Sequence, residues 1–234
     1  KDPEYAKAFM EVFGKKGKEI TMREVTLAIA SFERTVIAGD SPFDRYYYGG
    51  EEDALTEQQK RGLELFLNEG RCVSCHVIEQ TQALFTDNRF HNIGVGINTI
   101  QNDVPQLAGE FLEADRTLSE VDVEVLTDPK TSELGRFAIS HGFDDLGAFK
   151  TPTLRNVAVT APYMHDGSIE TLEDVMVHYL NGGVTEAGDP VNDFLSGGIR
   201  PLDIEIEQIE DLVAFMEALT SPEFEPTAAD ADGE

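Results

Sequence analysis

The sequence predicts an all-α fold in which a few well-capped helices are joined by long irregular loops, and three observations lead there. Three stretches whose apolar residues recur at helical spacing are each preceded by a Thr with Glu, Gln or Asp three residues later. The segment between Val77 and Lys150 is rich in Gly, Asn, Asp and Thr with only short apolar clusters, so it is expected to form loops and brief helices. The compact motif Cys72-Val73-Ser74-Cys75-His76 supplies a centre for those loops to wrap.

In chain order, Thr21-Met22-Arg23-Glu24 opens a helix whose apolar positions are Val25, Ala28, Ile29, Phe32 and Val36, with Gly39 as its stop. A second box, Thr56-Glu57-Gln58-Gln59, opens a helix through Leu63, Leu65, Phe66 and Leu67 that Gly70 ends just before the cysteines. That helix delivers the motif. Thr171-Leu172-Glu173-Asp174 starts a helix carrying Val175, Met176, Tyr179 and Leu180, closed at Gly182-Gly183. A last helix is expected from about Asp203 to Leu219. From Ser221 onward, Pro222, Pro226 and the Ala229-Asp230-Ala231-Asp232 run leave too little apolar content to pack, which reads as an acidic flexible tail.

Cys-x-x-Cys-His is the pattern that holds a c-type haem covalently. Two thiols one helical turn apart can each close a thioether to a vinyl group, and the imidazole of the next residue then faces the metal. Cys72 and Cys75 are thus the attachment points and His76 the proximal ligand. A thioredoxin-like redox pair or half of a zinc site are the competing readings. Against them, the chain has two cysteines in all, no strand-then-helix context, and no apparent second pair of zinc ligands.

Hydrophobic residues make up 41% of the 234, enough for a core, and no run approaches the roughly 18 apolar residues of a membrane helix. With 18 Lys and Arg against 45 Asp and Glu, the formal charge is −27. This argues against nucleic acid and anionic lipid as partners and favours a basic or small neutral one; such acidity also suits a salty habitat. Covalent haem is attached outside the cytoplasm, so a periplasmic or otherwise exported protein is expected. Residues 1–20 carry no apolar signal segment, so the start reads as a mature or truncated end.

Phe32-Glu33-Arg34-Thr35, Ser41-Pro42-Phe43-Asp44-Arg45-Tyr46, Lys60-Arg61-Gly62-Leu63-Glu64-Leu65-Phe66, Phe85-Thr86-Asp87-Asn88 and Phe90-His91-Asn92-Ile93-Gly94 together resemble the bacterial dihaem cytochrome c peroxidase and MauG superfamily. Most diagnostic are Phe149-Lys150-Thr151-Pro152-Thr153-Leu154-Arg155-Asn156 and Ala161-Pro162-Tyr163-Met164-His165-Asp166-Gly167. Members have two c-type haem domains. The resemblance implies that residues 1–50 are the closing helices of a first, otherwise missing haem domain, 51–220 a c-type haem domain and 221–234 the tail. It also implies different tasks for the irons: the first reacts with hydrogen peroxide, and the second, six-coordinate, relays electrons to it.

For the distal ligand, the resemblance points to the residue fourteen positions after His165, which is Tyr179. Peroxidases have methionine there and MauG-like members tyrosine. A thioether suits an electron store, whereas an anionic phenolate favours ferric and higher-valent iron. The competing view of Tyr179 is an ordinary half-buried aromatic, with Met176, Met164 and His178 as nearby alternative ligands. Thr160 and Pro162 match positions that help hold calcium between the haem domains, and otherwise form a simple turn. Lys150 and Arg155 look like partners for the haem propionates, with a loop-bracing ion pair as the alternative for Arg155. His91 and His165 are further candidates for the haem environment, His165 with Asp166 tuning the haem edge or the route to the first haem; hydrogen bonding to loop backbone is the bland reading of each histidine. The function implied is an electron-relay domain of a peroxidase or MauG-like oxidoreductase, served by a small electron-donor protein or acting on an oxidisable protein substrate. The lone haem motif keeps a stand-alone monohaem electron-transfer subunit as the alternative.

Overall fold

The computed structural model describes residues 2–113, 117–184 and 192–225. Compactness divides the chain into two units, 1–38 and 39–234. No helix among the described residues is long and apolar enough to cross a membrane.

The first unit has two helices. In α1 (Pro3–Phe13) the Asp2 side chain accepts from the Glu4 N–H, Pro3 takes the first turn where no donor is needed, and Gly14 closes the helix at φ +66°. Helix α2 (Met22–Glu33) starts with the expected Thr21/Glu24 capping box but ends at Glu33, six residues before Gly39. The apolar positions that predicted a buried face are largely bare: Phe32 is 68% exposed and Ile29 52%. The buried side chain of α2 is instead Glu24, which Lys15 meets at 2.6 Å.

Residues 39–50, read from the sequence with the first segment, fall within the second unit. Ser41 caps α3 (Pro42–Tyr47) and sends Phe43 fully into the core, its N–H bonded to the Ala218 carbonyl at 3.1 Å. Helix α4 (Glu57–Leu67) buries Gly62, Leu63, Leu65 and Phe66 and hands the chain to a 3-10 turn at Cys72–Ser74. Strand β1 (Phe90–His91) follows, then α5 (Val104–Glu113), α6 (Leu118–Thr127), α7 (Pro129–Ser132) and α8 (Phe137–Ser140). Strand β2 (Phe149–Lys150) pairs with β1 antiparallel, Phe90 opposite Lys150 and His91 opposite Phe149. Helix α9 (Leu172–Leu180) and helix α10 (Ile209–Glu217) complete the order.

Two cores result. One gathers Phe43, Phe66, Phe85, Leu172, Met176, Leu212 and Phe215 from α3, α4, α9, α10 and the loop after the haem motif. Its tightest crossing is Gly62, where an added Cβ would lie 1.9 Å from the Asp211 carbonyl oxygen, so α4 and α10 touch backbone to backbone. The other core, from Ile97, Val104, Phe111, Leu134, Phe137 and Leu146, is built by α5, α6 and α8 together with the turns that precede, join and follow them. Sparse regular structure was expected across 77–150; the structure there holds two ten-residue helices with their own hydrophobic cluster. The last helix is also shorter than the expected Asp203–Leu219, with a 3-10 turn at Ile206–Gln208 before α10. Of the expected tail, Ser221 is fully buried and receives the Gly39 N–H at 2.9 Å, while residues 226–234 lie outside the described residues.

Candidate haem site

Helix α4 ends with the Gly70 N–H on the Leu65 carbonyl at 2.8 Å, and the chain turns through Arg71 at φ +55° into the motif. The Cys75 and His76 N–H groups both return to the Cys72 carbonyl, at 3.2 and 2.9 Å, so the turn presents three side chains to one side. Cys72, Cys75 and His76 all line a cavity of about 400 Å³, within the range of sites that enclose a cofactor.

The thiols and the imidazole are prepared differently. Burial pushes the Cys72 thiol up to about 12 and raises that of Cys75 too. A disulfide-exchange pair needs a lowered thiol pKa, so this microenvironment argues against the redox reading. The His76 Nδ1 lies 2.8 Å from the Phe85 carbonyl oxygen, which can only accept, so Nδ1 carries the proton and Nε2 keeps its lone pair. Burial holds this imidazole below its ordinary pKa, which also favours the neutral, metal-ligating form. Phe85 is fully buried yet sits at φ +52°, an uncommon conformation for a large side chain, and it thereby turns its carbonyl onto His76.

Across the cavity, Leu172, Val175, Met176 and Tyr179 come from one face of α9 at helical spacing. The Tyr179 hydroxyl makes no hydrogen bond among the described residues, and burial, with the two thiols nearby, pushes its phenol well above its ordinary range. A neutral phenol is therefore the resting form, and a cation in the cavity is what would displace its proton. Met176 and Met164 line the same cavity, so both alternatives stay within reach of its interior. His178 does not: its Nε2 is 2.8 Å from the Ile93 carbonyl and the ring is not in the cavity wall, because it lies on the opposite side of α9.

Lys150, His91 and His165 line the cavity. Lys150, on β2, is exposed and in no ion pair among the described residues. His91 is tied through Nε2 to Asp87 at 2.8 Å. Burial opposes ionisation of Asp87, but the Arg89 N–H and His91 outweigh it and hold the carboxyl at about 2. The His165 ring stacks on Phe149 at 3.5 Å and bonds Glu133 at 2.8 Å. Asp166 stands beside that pair, and Glu133, His165 and Asp166 bring three donor atoms within 4.8 Å of one another.

Arg155, expected at a propionate, is placed elsewhere. Its guanidinium forms a two-pronged ion pair with Asp44, Nη2 to Oδ1 at 2.7 Å, while Nε donates to the Ala83 carbonyl at 2.8 Å. It is outside the cavity wall and braces the loop that carries Phe85. Thr160 and Pro162 also line the haem cavity; the Thr160 hydroxyl donates to the Val157 carbonyl at 3.0 Å. Sequence reasoning passed over the Phe85 carbonyl, Asp87, Glu133 and Phe149. The first is a main-chain group, Glu133 and Phe149 act through pairings with His165 across 32 and 16 residues, and Asp87 pairs with His91 only four residues on but within an irregular loop.

The residues present thus fit a covalently tethered haem with His76 on one face. A family model described as di-haem cytochrome c peroxidase matches residues 1–53. The chain is 34% identical over 226 residues to the methylamine utilization protein MauG of Methylorubrum extorquens, covering 97% of this chain and 51% of that protein. It is 31% identical over 218 residues to the cytochrome c551 peroxidase of Pseudomonas aeruginosa, covering 93% and 49%. Over nearly its whole length the chain is thus similar to dihaem cytochrome c peroxidases and MauG proteins. Among solved members, the crystal structure of a MauG-like protein associated with microbial copper homeostasis superposes with a TM-score of 0.60 at 30% identity, over 94% of this chain and 59% of that one. The chain spans about half the length of the curated superfamily relatives it matches.

Proposed function

We propose that this chain is the electron-relay c-haem domain of a peroxide-using oxidoreductase, its iron held between His76 and Tyr179. The observation that carries the reading is one cavity lined by both cysteines, by a histidine whose free nitrogen is fixed by the Phe85 carbonyl, and by an unbonded phenol on α9. When bound, the haem supplies a one-electron couple. The protein's own part is positional. Cys72 and Cys75 tether, Phe85 sets the His76 tautomer, and Leu172, Val175 and Leu212 keep water from the cavity. Lys150 offers a propionate an unpaired ammonium, with His91 and His165 beside it.

Were His76 and Tyr179 both to hold the iron, no position would be left for peroxide, and its reduction would fall to a second haem outside this chain. The match of residues 1–53 to the dihaem family model and the bare apolar residues Phe32, Val36 and Ile37 support residues 1–50 as the closing segment of that first haem domain. Calcium is assigned to main-chain oxygens of Thr160 and Pro162, shared with that domain. Export follows from the need to attach haem c outside the cytoplasm. The single Cys-x-x-Cys-His favours the other reading, a monohaem electron-transfer subunit, and the haem count of the native protein separates the two.

The test is the ferric spectrum of haem-loaded native protein carrying Tyr179→Phe. Loss of a charge-transfer band and a change of spin or coordination state are expected, with Met176→Leu leaving both intact. An unchanged spectrum in Tyr179→Phe would remove tyrosine as ligand.

A further inference from the structure

A file of packed aromatic rings leads from the loop that orients His76 to the protein surface. The Phe85 carbonyl accepts from His76, and the Phe85 ring meets Phe43 at 5.1 Å with the planes at 64°. Phe43 in turn stacks on Tyr47 at 5.1 Å and 21°, and meets Tyr48 edge-on at 5.9 Å. Tyr47 and Tyr48 contact each other at 5.1 Å. Tyr47 is 44% exposed, and the two phenylalanines are fully buried. The file therefore runs from the proximal side of the haem site to bulk water in two buried ring steps.

Phenylalanine is too hard to oxidise to hold a charge, yet its π system in van der Waals contact shortens the gap an electron must cross. Tryptophan and tyrosine are the side chains that do lose single electrons, and this chain has no tryptophan and six tyrosines. The other four are placed for something else. Tyr163 and Tyr179 face the cavity, with the Tyr163 hydroxyl committed to the Val157 carbonyl at 3.1 Å. Tyr46 carries the Lys60 ammonium 5.6 Å from its ring centre and is in no ring pair of the file, and Tyr5 lies in the separate first unit.

We propose that Tyr47, seated on Phe43 and flanked by Tyr48, is the surface site at which the haem site of this chain exchanges single electrons with an external donor. The oxidising equivalent comes from peroxide, and for that source the inference rests on the proposed function. Tyr47 gives one electron inward along Phe43 and Phe85 and its phenolic proton to water, leaving a neutral phenoxyl radical. An external one-electron donor then returns the electron, and water returns the proton, so tyrosine is regenerated. Tyr48 is the less suitable radical site. Its hydroxyl donates to the Glu79 carbonyl at 2.8 Å, and burial pushes its phenol up to about 12, so its proton has no ready acceptor.

Native protein that carries both this haem and the second, peroxide-reducing one, mixed with hydrogen peroxide in the absence of reductant and with a nitroso spin trap present, is expected to carry the adduct at Tyr47 by peptide mass mapping. Tyr47→Phe should reduce the yield at least about tenfold, and Tyr46→Phe should leave it alone. An adduct confined to other residues, or a Soret band that responds to peroxide with no adduct at Tyr47, overturns the proposal. A second measurement holds even where peroxide leaves the Soret band unmoved, a result that would sink the proposed function and not the path. A ruthenium complex on Tyr47→Cys, flash-excited to reduce the haem iron, should deliver its electron at least about tenfold faster than the same complex on Tyr46→Cys. Equal or slower delivery from position 47 overturns the path.

Discussion

Arg155 is worth more to this molecule as a brace than as a ligand to haem. Its guanidinium joins Asp44 on α3 to the Ala83 carbonyl and lies 5.5 Å over the Phe85 ring, so it fixes the loop whose Phe85 carbonyl, two residues on, sets His76. Both partners are largely shielded, with side-chain exposures of 10% and 16%, and removing one leaves the other's charge uncompensated. Arg155→Ala should therefore cost about 3 kcal/mol in urea unfolding. Arg155→Lys should recover only part, because an ammonium cannot make the two-pronged contact. Burial opposes ionisation of Asp44, and Arg155 and Ser41 more than reverse it, so its carboxyl ends below the usual range. At this scale the sequence is most legible where chemistry is local, as at Cys72, Cys75 and His76. For Arg155 it offered a loop-bracing ion pair beside the propionate reading but could not name Asp44, because a pairing across 111 residues leaves no mark on the spacing of either partner.

Among the elements, α4 and α10 depend on Gly62. Gly62→Ala puts a methyl within 1.9 Å of the Asp211 carbonyl and 2.7 Å of the Phe215 Cβ, and neither is free to retreat. A loss of about 2–3 kcal/mol is expected, from overpacking, with weaker haem retention because Phe66, Leu212 and Met216 line the cavity from these two helices. Thermal unfolding followed at the Soret band and in the far ultraviolet checks both. In the first unit, Lys15 and Thr21 hold Glu24 at about 2, well under its ordinary 4.5. A depressed carboxyl stabilises above its unfolded pKa and stops doing so as pH falls through the folded one. The start of α2 should thus loosen between about pH 4.5 and 2, and Glu24→Gln should flatten that dependence in hydrogen exchange at the Val25 and Thr26 amides. The starts of α4 and α9 were readable because a cap is written in four residues. Helices α5 and α6 were not, although Thr117 and Glu120 form a capping box, because a Gly- and Asp-rich setting hid a core visible only when Leu134 and Phe137 fold back on it. The apolar spacing that promised a buried, longer α2 is real, but its residues stand in solvent in this chain.

For the molecule as a whole, charge governs encounter. A chain bearing −27 would attract a basic partner from a distance, and less well as salt screens it. Reduction of the haem-loaded protein by a basic small cytochrome should slow by about tenfold or more between 10 and 300 mM salt. A rate that ignores ionic strength would point to a neutral donor instead. Composition alone carried that inference, whereas the division after Ala38 did not follow from composition, since nothing in residues 39–50 announces that Phe43 closes the larger core.

The two-residue ladder of β1 and β2 has one more consequence. It brings Phe90 opposite Lys150, and between them the chain makes its excursion through α5–α8, which pack on themselves. The excursion leaves and rejoins the main body at that ladder, and Glu133 within it reaches back to His165 on the cavity wall, so its length can vary without disturbing the porphyrin's surroundings only where that tie is kept.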